Sequence, residues 1–347
     1  MFTPSFTITN KILMNIAKIE AAEEVIKHSP LLPLWEKQFK EEAIVRAAYH
    51  GTHIEGNPLH KGDAKDILEG RDVIGRPRDI QEIINYRKVI EFIDEEAKRQ
   101  IDKITELIIK KLHRIIVEKI LSPEQAGEYR RKQVIIRNSS TGEVTFSPPP
   151  PVEVPFLMRE FCYWLNRDDR ERIHPMLKAG IAHHELVRIH PFLDGNGRVA
   201  RVLATLILFL GGYDIRRFFS LEEYYDKDAV LYYQNLQKAS SGDLSTWLEY
   251  FTQVASIEFD KIKDKILKLS KDVKLKERFG GQQIYLTERQ MKIIEYIQEV
   301  GYLQNQMFVN IFPNISEDTV LRDLKDLEKK GLIKKVGSTK AARYIMV

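Results

Sequence analysis

One stretch of twelve residues constrains this chain more than any other: His190 to Arg201, which reads HPFLDGNGRVAR. Runs with apolar residues at helical intervals lie before and after it. Pro191 disfavours helical backbone at His190, while Gly195 and Gly197 permit turn conformations that other residues resist. The pattern therefore predicts two helices joined by a tight loop, with His190 where the first helix stops.

Each polar residue of this stretch suits one part of a reaction on phosphate groups. His190 can accept a proton near neutral pH, and Asp194 is a hard oxygen ligand of the kind Mg2+ prefers beside phosphates. Phe192, between them, is predicted to point inward as an anchor. A glycine-rich helix N-terminus attracts anions through its free amides, and two arginines three residues apart share a helical face. The predicted phosphate-binding residues are Gly195, Asn196, Gly197, Arg198 and Arg201.

At these residues the chain resembles the Fic family, whose signature is H-x-F-x-[DE]-G-N-G-R-x-x-R, and every defined position is present. Specified residues at fixed spacing along the whole motif are far more specific than a lone GNG. The resemblance implies a protein adenylyltransferase that moves AMP from ATP to a Ser, Thr or Tyr hydroxyl, with His190 as general base and Asp194 as the Mg2+ ligand. The alternative is an ordinary pair of helices with a buried histidine.

A second motif ends the predicted helix Phe39–Glu55, which is followed by a Gly-Asn-Pro stop signal. In one branch of the Fic family an inhibitory helix carries [ST]-x-x-x-E-[GN], and Glu55 with the glycine after it matches the second half. The hydroxyl position falls on Gly51, with Thr52 one residue late. By resemblance, Glu55 pairs with Arg201 and denies that arginine to the γ-phosphate of ATP. The alternative is a solvated glutamate near a helix C-terminus.

Residues 127–151 alternate around a turn from Asn138 to Gly142, a pattern that predicts a β-hairpin. In Fic proteins a hairpin flap in this place lies over the active site and pairs with the target segment as an added strand. By that resemblance, the residues that dock the target are Val144, Thr145 and Phe146. The prolines that follow stiffen the exit from the flap.

An aromatic-rich helix is predicted from Tyr224 to Ala239. In the Fic family this region lines the adenine pocket, and Tyr232 and Tyr233 occupy the matching place, where a ring can stack on a base. Ordinary core packing stays open as the alternative, because no spacing distinguishes a stacked ring from a packed one.

The C-terminal segment has a pattern of its own. A capping box at Thr287 and Gln290 opens one helix, a second is predicted from Asn305 to Phe312, Ser316 opens a third, and two strands surround Gly337. This order resembles a winged helix-turn-helix domain, which binds DNA through its third helix. Because that helix mixes acidic and basic residues, a DNA partner, a protein partner and a homodimer all stay open.

Helical periodicity dominates the chain, so the predicted fold is mainly α: a Fic helical bundle with a short β-hairpin flap, plus a C-terminal winged helix-turn-helix domain. The predicted divisions are an N-terminal helical region with the inhibitory helix at 1–100, the Fic catalytic core at 101–255, a linker helix at 256–281 and the winged helix-turn-helix domain at 282–347.

The composition predicts a cytoplasmic protein without membrane contact. The formal net charge of +4 is small for this length, so nucleic-acid affinity requires a local basic patch. Cys162 is the single cysteine and fits a reducing compartment. The longest apolar run, Val202 to Leu210, is too short for a membrane span, and residues 1–30 lack the pattern of a signal peptide.

Two other functions stay open at this point. One keeps the fold and changes the chemistry, as an enzyme that transfers another phosphate-containing group or removes AMP. The other is a nucleotide-sensing DNA-binding regulator in which the winged helix does the work. The resemblance itself favours the adenylyltransferase, because the whole signature is present.

Overall fold

The computed structural model describes residues 2–29, 31, 33–137, 144–167, 173–213, 218–239, 242–278, 286–313, 315–337 and 342–347. The chain separates into two compact units, residues 1–267 and residues 268–347. The predicted fold class is confirmed, because the described chain is mainly helical and ends in a helix-turn-helix domain with a small sheet.

The first unit is helical apart from one pair of strands. None of the helices in the described part of the chain has both the length and the apolar character that a membrane crossing requires. The helices of this unit, with the last continuing past its end, are α1 (Asn10–His28), α2 (Pro33–His53), α3 (Lys61–Leu68), α4 (Pro77–Lys98), α5 (Glu106–Ile116), α6 (Val154–Leu165), α7 (Pro175–Ile189), α8 (Asn196–Leu210), α9 (Glu222–Lys227), α10 (Ala229–Lys238) and α11 (Ser245–Arg278).

Helices α7 and α8 form the centre of this unit, and both are buried along most of their length. Gly180 of α7 lets α11 approach closely, since a Cβ there would lie 2.8 Å from Leu248. Trp247 of α11 is fully buried and donates its indole N–H to the Gly180 carbonyl oxygen at 2.7 Å. The loop that joins α7 to α8 is therefore carried by two buried, closely packed helices.

Two helix boundaries differ from the prediction. The segment Tyr224 to Ala239 was predicted as one helix, but the chain breaks at Asp228, which leaves helical geometry (φ −140°, ψ 71°) and caps α10 by accepting a hydrogen bond from Leu231 at 2.9 Å. An aspartate that can bond the following turn competes with a continuous helix. The predicted linker helix at 256–281 also begins earlier, because it is part of the single helix α11, which starts at Ser245.

Helix α2 is fixed against α9 and α11 by a buried charge cluster. Arg46 of α2 donates to Glu223 of α9 and Glu258 of α11, at 2.8 Å in each case, and to the Phe218 carbonyl oxygen at 2.7 Å. The Glu258 side chain is fully buried, so loss of Arg46 would leave its charge with only the more distant Lys261, at 3.8 Å, among the described residues. The cluster sets the direction of α2 and thereby the place of the residues that follow its end at His53.

A small antiparallel sheet stands where the flap was predicted. Strand β1 (Ile136–Arg137) pairs with β2 (Val144–Phe146), with Ile136 opposite Phe146. The predicted turn from Asn138 to Gly142 lies outside the described residues. The hairpin pairing itself is confirmed.

The second unit has its own apolar core, formed by its helices and a two-stranded sheet. The predicted capping box is confirmed: the Thr287 hydroxyl accepts from the Gln290 amide at 3.2 Å and the Gln290 side chain accepts in return from the Thr287 N–H at 3.0 Å. The predicted second helix is shorter, a 3-10 turn followed by a single α-helical turn. The elements are α12 (Glu288–Val300), the 3-10 turn (Asn305–Met307), α13 (Phe308–Ile311), α14 (Glu317–Lys329), β3 (Ile333–Val336) and β4 (Arg343–Met346).

Candidate active site

The loop from His190 to Gly195 is the turn between the two central helices. His190 follows the end of α7 in the left-handed region, at φ 50° and ψ 59°, where few residues other than glycine are found. Gly195 adopts φ 80° and α8 begins at the next residue. The predicted arrangement of two helices, a tight loop and a histidine at the end of the first helix is confirmed.

The surroundings of His190 favour one tautomer of its ring. Its Nδ1 lies 3.3 Å from the Val187 carbonyl oxygen, and since a carbonyl can only accept, the proton of the neutral ring belongs on Nδ1. Burial lowers the pKa of His190 below its ordinary value. The neutral ring is therefore favoured, and Nε2 is the nitrogen that can accept a proton.

Phe192 and His113 support this loop from beneath. Phe192 is fully buried, as predicted, and stacks on His113 of α5 with ring centroids 3.8 Å apart. His113 Nε2 donates to the Asp194 carbonyl oxygen at 3.0 Å, and Nδ1 accepts from the Gly127 N–H at 2.9 Å. Burial lowers the pKa of His113 to about 4. It thus braces the loop as a neutral ring, a role that sequence patterns did not reveal.

Asn196 does not fit its predicted contact with phosphates through the side chain. Its amide oxygen accepts from the Phe192 N–H at 2.8 Å, and its amide nitrogen donates to the Phe192 carbonyl oxygen at 2.9 Å. The side chain is 2% exposed and closes the loop on itself. Only the backbone N–H of Asn196, at the N-terminus of α8, remains suited to an anion.

Arg201 lies inside the unit with Glu55 as its charged partner. Its Nη2 donates to Glu55 Oε1 at 2.7 Å and to the Gly51 carbonyl oxygen at 2.9 Å. The Arg201 side chain is 1% exposed, against 30% for Glu55. Burial opposes the charge, yet the Glu55 carboxylate and the neighbouring tyrosines hold the pKa of Arg201 well above its ordinary value. The sequence predicted this pairing, and the two side chains do meet.

The Glu55 carboxylate stands at the N-terminus of α8. A Cβ on Gly197 would lie 2.5 Å from Glu55 Oε1, so only glycine lets the carboxylate come this close. Free amides and the helix dipole favour a negative group at such a place. An internal carboxylate therefore lies where the motif predicts phosphate.

The departure at Gly51 has a structural cause. A Cβ at this position would overlap the ring of Tyr86, which is 1% exposed and donates its hydroxyl to Glu222 at 2.9 Å. A serine or threonine cannot be accommodated while Tyr86 stays in place. Thr52, one residue later, is buried and donates its hydroxyl to the Ala48 carbonyl oxygen at 2.9 Å, within its own helix.

Arg198 is tied to the end of the N-terminal helical region. Its Nη1 donates to Glu82 of α4 at 3.2 Å, and Glu82 also accepts from the Asn57 side chain at 3.0 Å. In the described part of the chain, the buried Nε of Arg198 and the buried Nε and Nη1 of Arg201 make no hydrogen bond. Because buried donors are normally satisfied, these atoms suit an incoming anion.

Asp194, the predicted Mg2+ ligand, is partly exposed and already paired. Its side chain is 37% exposed, accepts from Arg78 at 2.9 Å and from the Gly195 N–H at 2.6 Å. Among the residues that the structure describes, no three side chains group as a metal site. Mg2+ needs only one or two carboxylates when phosphates and water supply the rest. Asp194 Oδ1 also accepts from Arg198 Nη2 at 3.2 Å, and Arg78 occupies Oδ2. This carboxylate, beside an anion-binding helix end, fits such an ion once Arg78 moves aside.

The two tyrosines predicted at the adenine pocket differ in access. Tyr232 is 1% exposed, stacks on Tyr225 at 4.7 Å and has its hydroxyl 2.8 Å from His183 Nε2. It is a packed core residue, so a base cannot reach its ring. Tyr233 is 47% exposed, so part of its ring is accessible to a base that stacks on it. Of the predicted pair, only Tyr233 suits a nucleotide contact.

Comparison with known proteins agrees with this geometry. Residues 103–208 match the Fic/DOC family and residues 289–338 match the DeoR-like helix-turn-helix domain. The chain therefore contains a Fic/DOC domain and, towards its C-terminus, a helix-turn-helix domain of the DeoR-like type. The resemblance drawn from the motif is confirmed.

Relatives with known names are similar over part of their length. The protein adenylyltransferase Fic of Drosophila yakuba is 36% identical over 179 residues, 51% of this chain and 34% of that protein. The protein of the same name from Culex quinquefasciatus is 30% identical over 249 residues, 71% of this chain and 47% of that protein. The chain thus spans between about a third and a half of these curated relatives.

Solved structures share the fold. A Fic family protein from Desulfovibrio desulfuricans G20 has a TM-score of 0.67 at 23% identity, covering 100% of this chain and 98% of that chain. Fic-1 from C. elegans has a TM-score of 0.61 at 26% identity, covering 73% of each chain.

The contact between Gly51 and Tyr86 predicts a specific destabilisation. Gly51→Ser should lower the free energy of unfolding by about 1–3 kcal/mol, because the added atoms overlap a buried ring. Gly62→Ser is the matched control, since nothing lies within 4 Å of a Cβ on Gly62. Urea unfolding of the full chain checks this, and equal stability of the two variants would contradict the close packing.

His113 predicts a loss of stability with acid. The unfolded ring binds a proton near pH 6.5, whereas the folded pKa is about 4, so a fall in pH within that window favours the unfolded state. His113→Gln should reduce the stability lost between pH 7 and pH 5 by up to about 2 kcal/mol. Urea unfolding at both pH values measures it, with His28→Gln, at an exposed position, as control. An unchanged pH dependence in the His113 variant would contradict the assignment.

Proposed function

We propose that the protein is a protein adenylyltransferase, moving AMP from ATP to a Ser, Thr or Tyr hydroxyl of a target protein and of itself. One observation carries the proposal: His190, whose Nε2 can accept a proton, lies beside a helix N-terminus where an internal carboxylate already pairs with a buried arginine. The names of the relatives support the same activity. The target protein is recognised through a hydroxyl side chain.

Each residue of the loop would have a defined task in this reaction. His190 Nε2 takes the proton of the attacking hydroxyl, whose oxygen then forms a bond to the α-phosphorus as the bond to pyrophosphate breaks. The amides of Gly195 and Gly197 lie at the helix end that would hold phosphate oxygens. Arg198 and Arg201 would bind the distal phosphates through the guanidinium nitrogens that make no hydrogen bond to the described residues.

Asp194 would hold Mg2+ together with the nucleotide phosphates. When bound, the ion supplies positive charge that neutralises the α- and β-phosphate oxygens. Arg78, which donates to Asp194 at 2.9 Å, would have to release the carboxylate first. This pair is partly exposed, so separating it costs little compared with a buried pair.

Glu55 would keep the enzyme inactive. A carboxylate on Arg201 occupies a donor that the γ-phosphate requires, and repels phosphate from the N-terminus of α8. ATP would then bind in a pose in which a hydroxyl activated by His190 cannot reach the α-phosphorus. The enzyme would become active when the segment that follows α2, which carries Glu55, moves away from Arg201.

The hairpin would receive the target. In the described residues β2 pairs with β1 only, in a sheet of two strands, and an open strand edge can accept an added strand from another chain. Val144, Thr145 and Phe146 would provide that edge. The winged helix-turn-helix domain would bind DNA or another protein, and its DeoR-like match favours a nucleic-acid partner.

Substitution at Glu55 should release the activity. With radiolabelled ATP, Glu55→Gln should raise self-labelling on the order of 10-fold or more, because the charge that blocks Arg201 is removed. Glu41→Gln, an exposed glutamate of α2, is the matched control and should leave labelling unchanged. In the Glu55→Gln background, His190→Ala should reduce labelling at least about 100-fold. Labelling that survives the His190 change would contradict the mechanism, and mass spectrometry would show whether AMP or another group is transferred.

The labelling rate should depend on pH through His190. Because burial lowers the pKa of His190, its neutral form persists below its ordinary value of about 6.5. At saturating nucleotide the rate should stay level from pH 8 down to about 6.5 and fall only below it. A fall that begins above pH 7 would mean that another group is the base.

A further inference from the structure

We propose that Arg130 is a positioning residue that holds His190 and both ends of the hairpin flap in one fixed geometry. The flap is the hairpin of β1 and β2. The inference rests on the proposed function and adds a residue that the motif does not contain. Arg130 lies 60 residues before His190 in the chain.

Arg130 contacts the loop of His190 directly. Its Nε donates to the His190 carbonyl oxygen at 2.8 Å, and its backbone N–H donates to the Pro191 carbonyl oxygen at 2.8 Å. These two bonds restrain the peptide units on which the left-handed conformation of His190 depends. Moving them would turn the imidazole away from its place.

The other nitrogens of the same guanidinium contact the two ends of the flap. Nη2 donates to the Pro149 carbonyl oxygen at 2.5 Å, on the segment leaving β2, and Nη1 donates to the Lys132 carbonyl oxygen at 3.4 Å, on the segment entering β1. Gln133 adds a bond between the ends, from its Nε2 to the Pro148 carbonyl oxygen at 2.8 Å. One planar group therefore joins three backbone segments.

Arginine is the side chain that this junction requires. Its five N–H donors lie in a rigid plane and can address several carbonyls at once, whereas lysine offers one flexible ammonium group. Arg130 is only 4% exposed, and its acceptors are carbonyl and amide oxygens, not carboxylates. Burying a charge without a carboxylate costs stability, so packing alone is a poor reason for this residue.

The position of Arg130 also affects the transfer step. A target strand added to β2 would take its register from the flap, and the flap takes its place from Arg130. The distance between the target hydroxyl and His190 Nε2 then depends on one side chain. Misplacement of reacting groups by an ångström or so lowers rates greatly, so loss of Arg130 should reduce the chemical step more than nucleotide binding.

The test compares Arg130→Gln with Arg131→Gln in the full chain carrying Glu55→Gln. Arg131 is the next residue and is exposed, so it controls for the loss of a positive charge nearby. We expect self-labelling from radiolabelled ATP to fall about 10-fold or more in the Arg130 variant, with the dissociation constant for ATP within about 2-fold of the control. Arg130→Lys should not restore the rate.

Two readouts separate positioning from a loss of folding or of the proposed function. Hydrogen exchange at residues 144–147 should accelerate in the Arg130 variants. The NMR-titrated pKa of His190 should rise in Arg130→Gln, because burial and the Arg130 charge lower it, while the Val187 carbonyl and Asp194 act in the opposite direction. Both readouts can be measured even if no labelling occurs. An absence of labelling would contradict the adenylyltransferase proposal but not the positioning role of Arg130.

Equal labelling in the two glutamine variants, with unchanged exchange at 144–147, would overturn the role of Arg130. If Arg130→Gln fails to fold, as judged by thermal unfolding, Arg130→Lys is read in its place. A lysine variant that labels and exchanges like the control would overturn it equally.

Discussion

The ion pair between Arg201 and Glu55 is the interaction on which the rest of the site depends. It joins the centre of the helical unit, where α8 is buried, to the segment that follows α2, and its two charges are 2.7 Å apart with the arginine 1% exposed. Two glycines make it possible, since Gly197 lets the carboxylate reach the N-terminus of α8 and Gly51 lets α2 approach Tyr86. A buried arginine without this partner would be costly, so the pair also stabilises the fold that carries it.

Pairing with an opposite charge from the N-terminal region recurs at the other charged residues of the site. Each charged residue of the loop and α8 faces an opposite charge from the N-terminal region: Arg201 with Glu55, Arg198 with Glu82, and Asp194 with Arg78. These pairs differ in burial, and therefore in how readily they separate. The partly exposed carboxylates of Glu55 and Asp194 can exchange partners with a nucleotide and its metal ion. The ion pair of Arg198 with Glu82, at 3% and 7% exposure, is more costly to separate, which leaves the Nε of Arg198 for a phosphate.

The motif predicted the local structure well because local chemistry determines it. Proline and glycine set the turn at His190, Phe192 is buried, and the carboxylate of Glu55 reaches Arg201 as the resemblance implied. Residues that act through tertiary contacts escaped prediction: His113 and Arg130 lie in ordinary helical or loop sequence, and only the fold brings them to the loop. Tyr232 and the Asn196 side chain were assigned to ligands because no pattern distinguishes a group that binds a ligand from one that packs or bonds its own backbone.

Nucleotide affinity gives the most direct test that Glu55 and the distal phosphates compete for Arg201. Calorimetric titration with ATP and with AMP should be compared for the wild-type chain and Glu55→Gln. If the Glu55 carboxylate and the distal phosphates compete, Glu55→Gln binds ATP at least about 5-fold more tightly, while the affinity for AMP, which lacks distal phosphates, changes less. Unchanged ATP affinity, or an equal gain for AMP, would contradict the account.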